Sequence, residues 1–139
     1  MDIQKCLEKG YLVKEESSKD LIEKELKESN YDFEKARLAF KNNDYKWCIV
    51  KCYYSMFHSA KAVCFKLGFR EKSHFVLLIV LEDLNKKGKL EVKYVNDFSA
   101  AMESRESADY RYEYSKERAD NMLKATQEFN QKMKILLKK

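Results

Sequence analysis

The sequence predicts an all-α protein, an antiparallel up-and-down bundle of four or five helices. Its 139 residues contain no proline and only three glycines, so almost nothing interrupts a helix. Hydrophobic residues also recur at spacings of three and four over most of the chain, which is the period of an amphipathic helix. We expect a single domain over residues 1–139, because this length is enough for one hydrophobic core and too short for two.

The charge and the cysteine content limit the possible partners and the cellular compartment of the protein. The formal net charge of +5, from 28 Lys and Arg against 23 Asp and Glu, permits an RNA partner without requiring one. Four scattered cysteines indicate a reducing compartment rather than a disulfide scaffold. There is no signal-peptide pattern, and the longest apolar run, residues 75–81, is far below the roughly 20 residues that span a bilayer. We therefore expect a cytoplasmic protein that makes no membrane contact.

The first two long helices have clear start signals. Residues 1–16 show a short helical pattern broken at Gly10, which we interpret as an appendage to the bundle. Ser17 and Ser18 are N-cap candidates for the first long helix. Its apolar stripe consists of Ile22, Leu26, Ser29, Phe33, Ala36 and Phe40. Asp44 is a good N-cap for a second helix over residues 45–67, which Gly68 would close.

The third predicted helix is unusual in being apolar on all sides. It follows a turn at residues 69–72 and has Ser73 as its predicted N-cap. Its run FVLLIVL at residues 75–81 leaves no polar face for solvent, so two sides must be buried. A homodimer interface is the most economical explanation.

Two further helices complete the prediction. Gly88 ends the third helix, a fourth begins near Val92, and Ser115 caps a last helix whose apolar face runs to Leu136. Connections of two to eight residues place neighbouring helices antiparallel.

The cysteines and histidines offer only weak signals of chemistry. Cys48 and Cys52 lie four apart on one helical face, which is compatible with half a metal site, but we interpret them as packing residues and predict no metal. His58 shares a polar strip with Tyr54, so it is either a boundary residue or part of a functional groove. His74, next to the predicted cap, is interpreted as structural.

Arg105 interrupts the apolar face of the fourth helix. After Val95, Phe98 and Met102, the spacing predicts a hydrophobic residue at position 105 and supplies a guanidinium instead. A buried arginine needs a partner, and Asp109 at i+4 is a natural one. One interpretation is therefore a structural ion pair.

The other interpretation is functional. Arg105 would bind phosphate through its planar fork, and the nearby Tyr110 and Tyr112 would stack on bases. The residue pattern alone leaves both interpretations open.

Three stretches together resemble the HEPN family of prokaryotic helical proteins, and in particular a small stand-alone subfamily. They are YYSMFHSAKAV on the second helix, the turn GFREKSH, and MESRESADYRYEYS at the end of the fourth helix. The resemblance covers nearly the whole chain. It implies a bundle of four to five helices that commonly dimerises, and many members are metal-independent endoribonucleases of toxin–antitoxin or defence systems. It implies no cofactor.

The resemblance also implies roles for particular residues, with one departure. The family's catalytic signature is an arginine followed after four to six residues by a histidine, and Arg105 matches that arginine. Tyr110 stands at the place of the histidine, and Tyr112 matches a tyrosine that often follows. Tyrosine is a poor base because its pKa is about 10, so whether the protein is an enzyme stays open. His58 would supply an imidazole if the second and fourth helices pack together.

Three functional hypotheses follow. The first is a dimeric, RNA-targeting, endoribonuclease-like protein, with Arg105 and Tyr110 at the catalytic positions. The residues expected to line its RNA or nucleotide site are Tyr54, His58, Asp109 and Tyr112. The second is a non-catalytic module that binds a nucleotide or pairs with a minimal nucleotidyltransferase antitoxin. In the third, Arg105 and Asp109 only hold the bundle together, and the function lies in oligomer assembly.

Overall fold

The computed structural model describes all 139 residues and confirms the all-α class. About 75% of the chain is helical. The elements in chain order are α1 (Ile3–Glu8), β1 (Leu12–Lys14), α2 (Lys19–Lys41), α3 (Tyr45–Lys66), β2 (Phe69–Glu71), α4 (Phe75–Lys86), α5 (Val92–Tyr110) and α6 (Lys116–Leu137). None of these helices combines the length and the apolarity needed to cross a bilayer.

Three of the predicted helix starts are confirmed by their capping hydrogen bonds. In each, a side-chain oxygen accepts the backbone N–H three residues later, which satisfies a donor that the helix itself leaves free. The pairs are Ser18 with Leu21, Asp44 with Trp47, and Ser115 with Arg118. These caps fix where α2, α3 and α6 begin.

The predicted cap at Ser73 is wrong. His74 occupies the N-cap position of α4 with helical dihedral angles, φ −60° and ψ −39°, and no side chain caps the helix. The first turn is closed by main-chain bonds instead, from Val76 N–H to the Ser73 carbonyl and from Leu77 N–H to the His74 carbonyl, both 3.2 Å. These i→i−3 bonds make a tight 3₁₀-like start, and His74 therefore sits at the entrance of α4.

The N-terminal appendage is more integrated than the sequence predicts. After α1, β1 pairs antiparallel with β2, with Leu12 opposite Glu71 and Lys14 opposite Phe69. The interpretation of residues 69–72 as a turn is therefore wrong for the β2 segment. Cys6 and Leu12 are buried within the main core. Strands of three residues are too short to show an alternating pattern, which is why the sequence did not reveal them.

The central helix of the bundle is α3, which packs against α2, α5 and α6. Aromatic rings join these layers: Tyr53 lies 6.1 Å from Phe98, and Phe98 stacks on Phe129 at 5.7 Å between ring centroids. Being enclosed by three helices, α3 has few exposed positions. Its one polar strip, where Tyr54 and His58 lie, runs between α2 and α5.

A buried polar network fixes the register of α2, α3 and α6. Ser29 and Ser55 exchange hydroxyl-to-carbonyl hydrogen bonds of 2.7 and 2.8 Å. Asn130 donates to the Ser55 hydroxyl at 2.9 Å and accepts from the Ser59 hydroxyl at 2.7 Å. These small side chains let the helices approach closely, and each buried polar group finds a partner.

The outer side of α4 is partly covered within the chain. Its core side consists of Val76, Leu77, Val80, Leu81 and Leu84. On the opposite side, the Tyr11 ring meets Phe75 edge-on at 5.5 Å, and α1 packs alongside. Phe75 still keeps 39% of its surface exposed, and Leu78 is half-buried. The homodimer stays a prediction. The apolar surface of α4 that is left for a second subunit to cover is smaller than the sequence indicated.

Candidate functional site around Arg105

Arg105 projects from the middle of α5 onto two tyrosine rings of α3. Its guanidinium carbon lies 5.6 Å from the centre of the Tyr53 ring and 5.8 Å from that of Tyr54. Only 21% of the side chain is exposed. An aromatic face attracts a cation, so the two rings hold the guanidinium in an apolar position without consuming its hydrogen-bond donors.

The polar contacts of Arg105 are few and long. Its Nε lies 3.5 Å from an Asp109 carboxylate oxygen, and one Nη donates to the Tyr54 hydroxyl at 3.5 Å. The buried Nε has no partner with hydrogen-bond geometry. A guanidinium carries five N–H donors. The expected Arg105–Asp109 pair is thus present but loose, and most of the donors have no acceptor in the protein.

His74 joins this site, although the sequence gave it a structural interpretation. Its Nδ1 lies 3.0 Å from the Tyr53 hydroxyl, and its ring packs on Phe57 with 4.3 Å between centroids. Tyr53 therefore touches both His74 and Arg105. The stretch GFREKSH contains His74, so the signal was present, but only the fold shows that the start of α4 meets the middle of α5.

The protonation states of Tyr53 and His74 follow from their surroundings. Burial raises the pKa of Tyr53 to about 12, so its phenol keeps its proton. The phenol donates to His74 Nδ1 in the tautomer protonated at Nε2, and accepts from Nδ1–H in the other tautomer. Partial burial lowers the pKa of His74, and the positive charge of Arg105 lowers it further. His74 Nε2 has no hydrogen-bond partner within the chain, so it is a free donor in the first tautomer and a free acceptor in the second.

His58 faces α2 rather than Arg105. Its Nδ1 lies 2.8 Å from a Glu25 oxygen, and its Nε2 lies 3.5 Å from Asp32, which also pairs with Lys51 at 3.2 Å. Burial raises the pKa of Glu25, but the hydrogen bond with His58 and the charge of Lys61 outweigh this effect, so the net shift is downward. The second and fourth predicted helices do pack together, as α3 and α5, yet both nitrogens of His58 are directed at carboxylates.

Tyr110 and Tyr112 are not gathered around Arg105 within one chain. They are 72% and 75% exposed, and neither hydroxyl makes a hydrogen bond. Five residues along a helix correspond to a rotation of roughly 140° from Arg105 to Tyr110. The Tyr112 ring lies instead near the start of α3, 5.5 Å from the ammonium of Lys46.

The end of α5 has an unusual backbone. The N–H groups of Arg111 and Glu113 both donate to the Ser107 carbonyl, at 3.1 and 3.0 Å. Bringing Glu113 back to this carbonyl places Tyr112 in the left-handed region, with φ +56°. This conformation is unfavourable for a residue with a side chain. The site thus ends in a strained turn that presents two exposed tyrosines.

The cysteines lie outside this site. Cys48 and Cys52 are both free and completely buried in the core, which agrees with their interpretation as packing residues. A hydrogen bond with Cys48, together with burial, raises the pKa of Cys52 well above its ordinary value. A protonated, buried thiol is a poor nucleophile and a poor metal ligand.

Comparison with known proteins identifies the family. The profile of the HEPN domain matches residues 22–136, which cover all of α3, α4 and α5 and all but the outer ends of α2 and α6. This chain belongs to the HEPN family. It is also 29% identical over 122 residues to an Archaeoglobus fulgidus protein named UPF0332 protein, a match that covers 86% of this chain and 98% of that relative. The family assignment made from the three sequence stretches is thereby confirmed. The HEPN family consists of RNA-targeting, nuclease-like modules of toxin–antitoxin systems.

Proposed function

We propose that this HEPN protein targets RNA as a dimer in a toxin–antitoxin or defence system, and that Arg105 binds a phosphate of the RNA. The observation that supports this most directly is the state of the guanidinium. It lies against the rings of Tyr53 and Tyr54 while most of its N–H donors lack an acceptor. A planar fork with unused donors matches the geometry of phosphate oxygens.

The groups around Arg105 suit an anion that arrives from solvent. In the tautomer protonated at Nε2, His74 offers a second donor without a protein partner. The charge of Arg105 is one cause of the lowered pKa of His74, so a positive potential acts on the imidazole. Asp109 is the competing anion, but at 3.5 Å it is poorly placed to hold the guanidinium against phosphate. Arg105 and His74 would then contact the same phosphate group.

The geometry supports binding of RNA more directly than its cleavage. Cleavage by the 2′-hydroxyl needs a base with a free lone pair to accept the proton. In the tautomer protonated at Nε2, the Nδ1 lone pair of His74 accepts from Tyr53, and both His58 nitrogens face carboxylates. Tyr110 reaches only solvent in one chain. A cutting site would therefore need a residue from the second subunit, and for this reason the proposal includes the dimer.

The test of the proposal compares Arg105, within α5, with Arg111, which directly follows α5. Binding of a fluorescein-labelled, 20-nucleotide single-stranded RNA would be measured by anisotropy in EDTA, for wild type, Arg105→Ala and Arg111→Ala. The side chain of Arg111 is exposed and bonds only to its neighbour Ser107. Arg111→Ala therefore removes one positive charge, as Arg105→Ala does, but leaves the contacts of Arg105 intact. We expect a loss of about tenfold or more for Arg105→Ala, as for a lost charge-assisted hydrogen bond, and less than about threefold for Arg111→Ala.

Equal losses of RNA affinity in the two variants would mean that RNA responds only to the overall positive charge, which would contradict the proposal. Unchanged RNA binding by Arg105→Ala would contradict it as well. The same samples, run on a denaturing gel, test the nuclease activity. Cleavage that is identical for wild type and Arg105→Ala would indicate a contaminating nuclease and would refute cleavage at this site. Thermal unfolding of both variants separates a loss of binding from a loss of structure.

A second candidate function is a binding module that pairs with a minimal nucleotidyltransferase. Its support is the accessibility of Tyr110, Tyr112 and Tyr114, which are all exposed at the end of α5. In this proposal a tyrosine oxygen attacks the α-phosphorus of ATP, pyrophosphate leaves, and the phenolic proton passes to solvent. Mixing the protein with such an enzyme and ATP would raise the intact mass by one adenylyl group. No complex and no change in mass would refute this function.

A further inference from the structure

One sizeable cavity of the molecule lies away from Arg105. It has a volume of about 710 Å³ and opens between the C-terminal ends of α3, α4 and α6 and the loop that joins α4 to α5. None of the residues around Arg105 lines it. Its apolar residues are Val63, Leu67, Leu84, Leu90 and Leu136. Small-molecule sites have volumes of roughly 300–1,000 Å³ and are mostly apolar, so the size and the lining both suit a small ligand.

Positive charges surround this apolar groove. Lys66, Lys89 and Lys132 line it, together with Lys139. The one side-chain carboxylate in the lining, Glu91, pairs with Lys132 at 3.0 Å. Lys66 and Lys89 have no ion-pair partner anywhere in the chain. The groove therefore has an uncompensated positive charge beside its apolar surface.

A second, smaller cavity makes the apolar path longer. It has a volume of about 150 Å³ and shares Leu67, Leu84 and Lys89 with the first. From there it continues between α1 and α4 along Ile3, Phe69 and Val80, beside the ion pair of Asp83 with Lys87 at 2.9 Å. An elongated apolar path that starts beside unpaired lysines is better matched by a chain with an anionic head than by a compact, uniformly polar ligand.

We propose that this groove binds a medium-chain fatty acid in its ionised form. The carboxylate would lie between Lys66 and Lys89, and the alkyl chain would follow Leu67 and Leu84 toward α1. Charge complementarity provides the specificity for an anionic head, and removal of the alkyl chain from water provides the driving force. This site shares no residue with the proposed RNA site, so the two proposals stand or fall separately.

The experiment uses decanoate at pH 8, below its micellar concentration, with the full-length protein. Calorimetry should show saturable binding at one decanoate per chain, and methyl NMR signals should shift at Leu67, Leu84 and Leu136 rather than in the Arg105 region. Leu67 is 41% exposed, so Leu67→Trp fills the groove without entering the core. We expect it to weaken binding about tenfold or more, and the double variant Lys66→Glu/Lys89→Glu to do the same.

The controls separate a built site from general adsorption. Lys35→Glu/Lys116→Glu makes the same change of charge on exposed lysines elsewhere and should bind decanoate like wild type. Decyltrimethylammonium has the same chain with a cationic head and should not bind. Absence of saturable decanoate binding, equal affinity for the cationic analogue, or full retention of binding by Leu67→Trp would overturn the proposal.

Discussion

At position 105 the spacing of the helix requires a hydrophobic side chain, and the bundle accommodates an arginine because α3 presents two tyrosine rings there. The rings pack well in apolar surroundings, and their faces also attract the guanidinium cation. The break in the apolar pattern made Arg105 visible in the sequence. Its neighbours were not visible, because His74 meets Tyr53 across 21 positions of sequence and no local pattern encodes such a contact.

The resemblance to the family implies that Tyr110 stands at the place of its histidine, and this leads to a first prediction. Tyr110→His restores an imidazole at the expected spacing from Arg105, and its exposure means that the fold should tolerate the change. We expect metal-independent RNA cleavage to rise about tenfold or more in a denaturing-gel assay, and to disappear when Arg105→Ala is added. Tyr112→His is the matched control, since it adds an imidazole to the other exposed tyrosine. Equal gains in both variants would contradict the role of spacing.

The strain at Tyr112 leads to a second prediction. A left-handed conformation costs a residue with a side chain about 1–2 kcal/mol, whereas glycine adopts it freely but loses more chain entropy, roughly 0.5–1 kcal/mol. We therefore expect Tyr112→Gly to raise the free energy of unfolding by about 0.5–1 kcal/mol in urea titrations. Tyr112→Ala, which keeps the strain, should show no gain. Destabilisation by Tyr112→Gly would mean that the Lys46 contact outweighs the strain.

The lowered pKa of His74 leads to a third prediction, on pH dependence. Its unfolded pKa is about 6.5, and its folded pKa is lower, so between these values the unfolded chain binds more protons. The contribution of His74 to stability is therefore complete above pH 6.5 and is lost as the pH falls toward the folded pKa. Urea midpoints from pH 8 to pH 5.5 should fall more steeply for wild type than for His74→Gln. Parallel curves would contradict a neutral His74, since His58 is common to both proteins.

At the scale of elements, segments fixed by local hydrogen bonds of a side chain could be predicted from the sequence. Segments held by main-chain bonds or by contacts between distant residues could not. The starts of α2, α3 and α6 were predictable because a serine or aspartate caps each helix locally. The start of α4 was not, because main-chain bonds close it without the Ser73 side chain. The sheet of β1 and β2 joins segments more than 50 residues apart, so the apparent appendage is held by contacts that only the tertiary structure contains.

The integration of the N-terminal segment leads to a fourth prediction. Leu12 on β1 is almost completely buried, whereas its neighbour Val13 is only half-buried. Removing a buried leucine side chain typically costs about 2–5 kcal/mol, so Leu12→Ala should lower the free energy of unfolding by about 2–4 kcal/mol in urea. Val13→Ala should lower it by less than about 1 kcal/mol. Similar small effects of both substitutions would show that residues 1–16 fray independently of the bundle.

At the scale of the whole molecule, the surface on the outer side of α4 and the exposed tyrosines after α5 both bear on the dimer. Aromatic residues are enriched in protein interfaces, and Phe75 follows His74 directly at the edge of the Arg105 site. A dimer interface that included Phe75 would bring the second subunit beside the free donors of Arg105 and His74. It would also supply what the single chain lacks, a residue placed to act on a bound phosphate.

The fifth prediction tests this dimer interface. Light scattering after size exclusion should give the wild type twice the chain mass of 16.6 kDa, and Phe75→Glu should give the mass of one chain, because a carboxylate is costly to bury without a partner. Val92→Glu makes the same kind of change at an exposed apolar residue at the start of α5 and should leave the dimer intact. A wild type that stays at 16.6 kDa would refute the dimer itself. A Phe75→Glu protein that remains dimeric would contradict an interface that includes Phe75, and the exposed tyrosines after α5 would then be the surface left to bring the second subunit to Arg105.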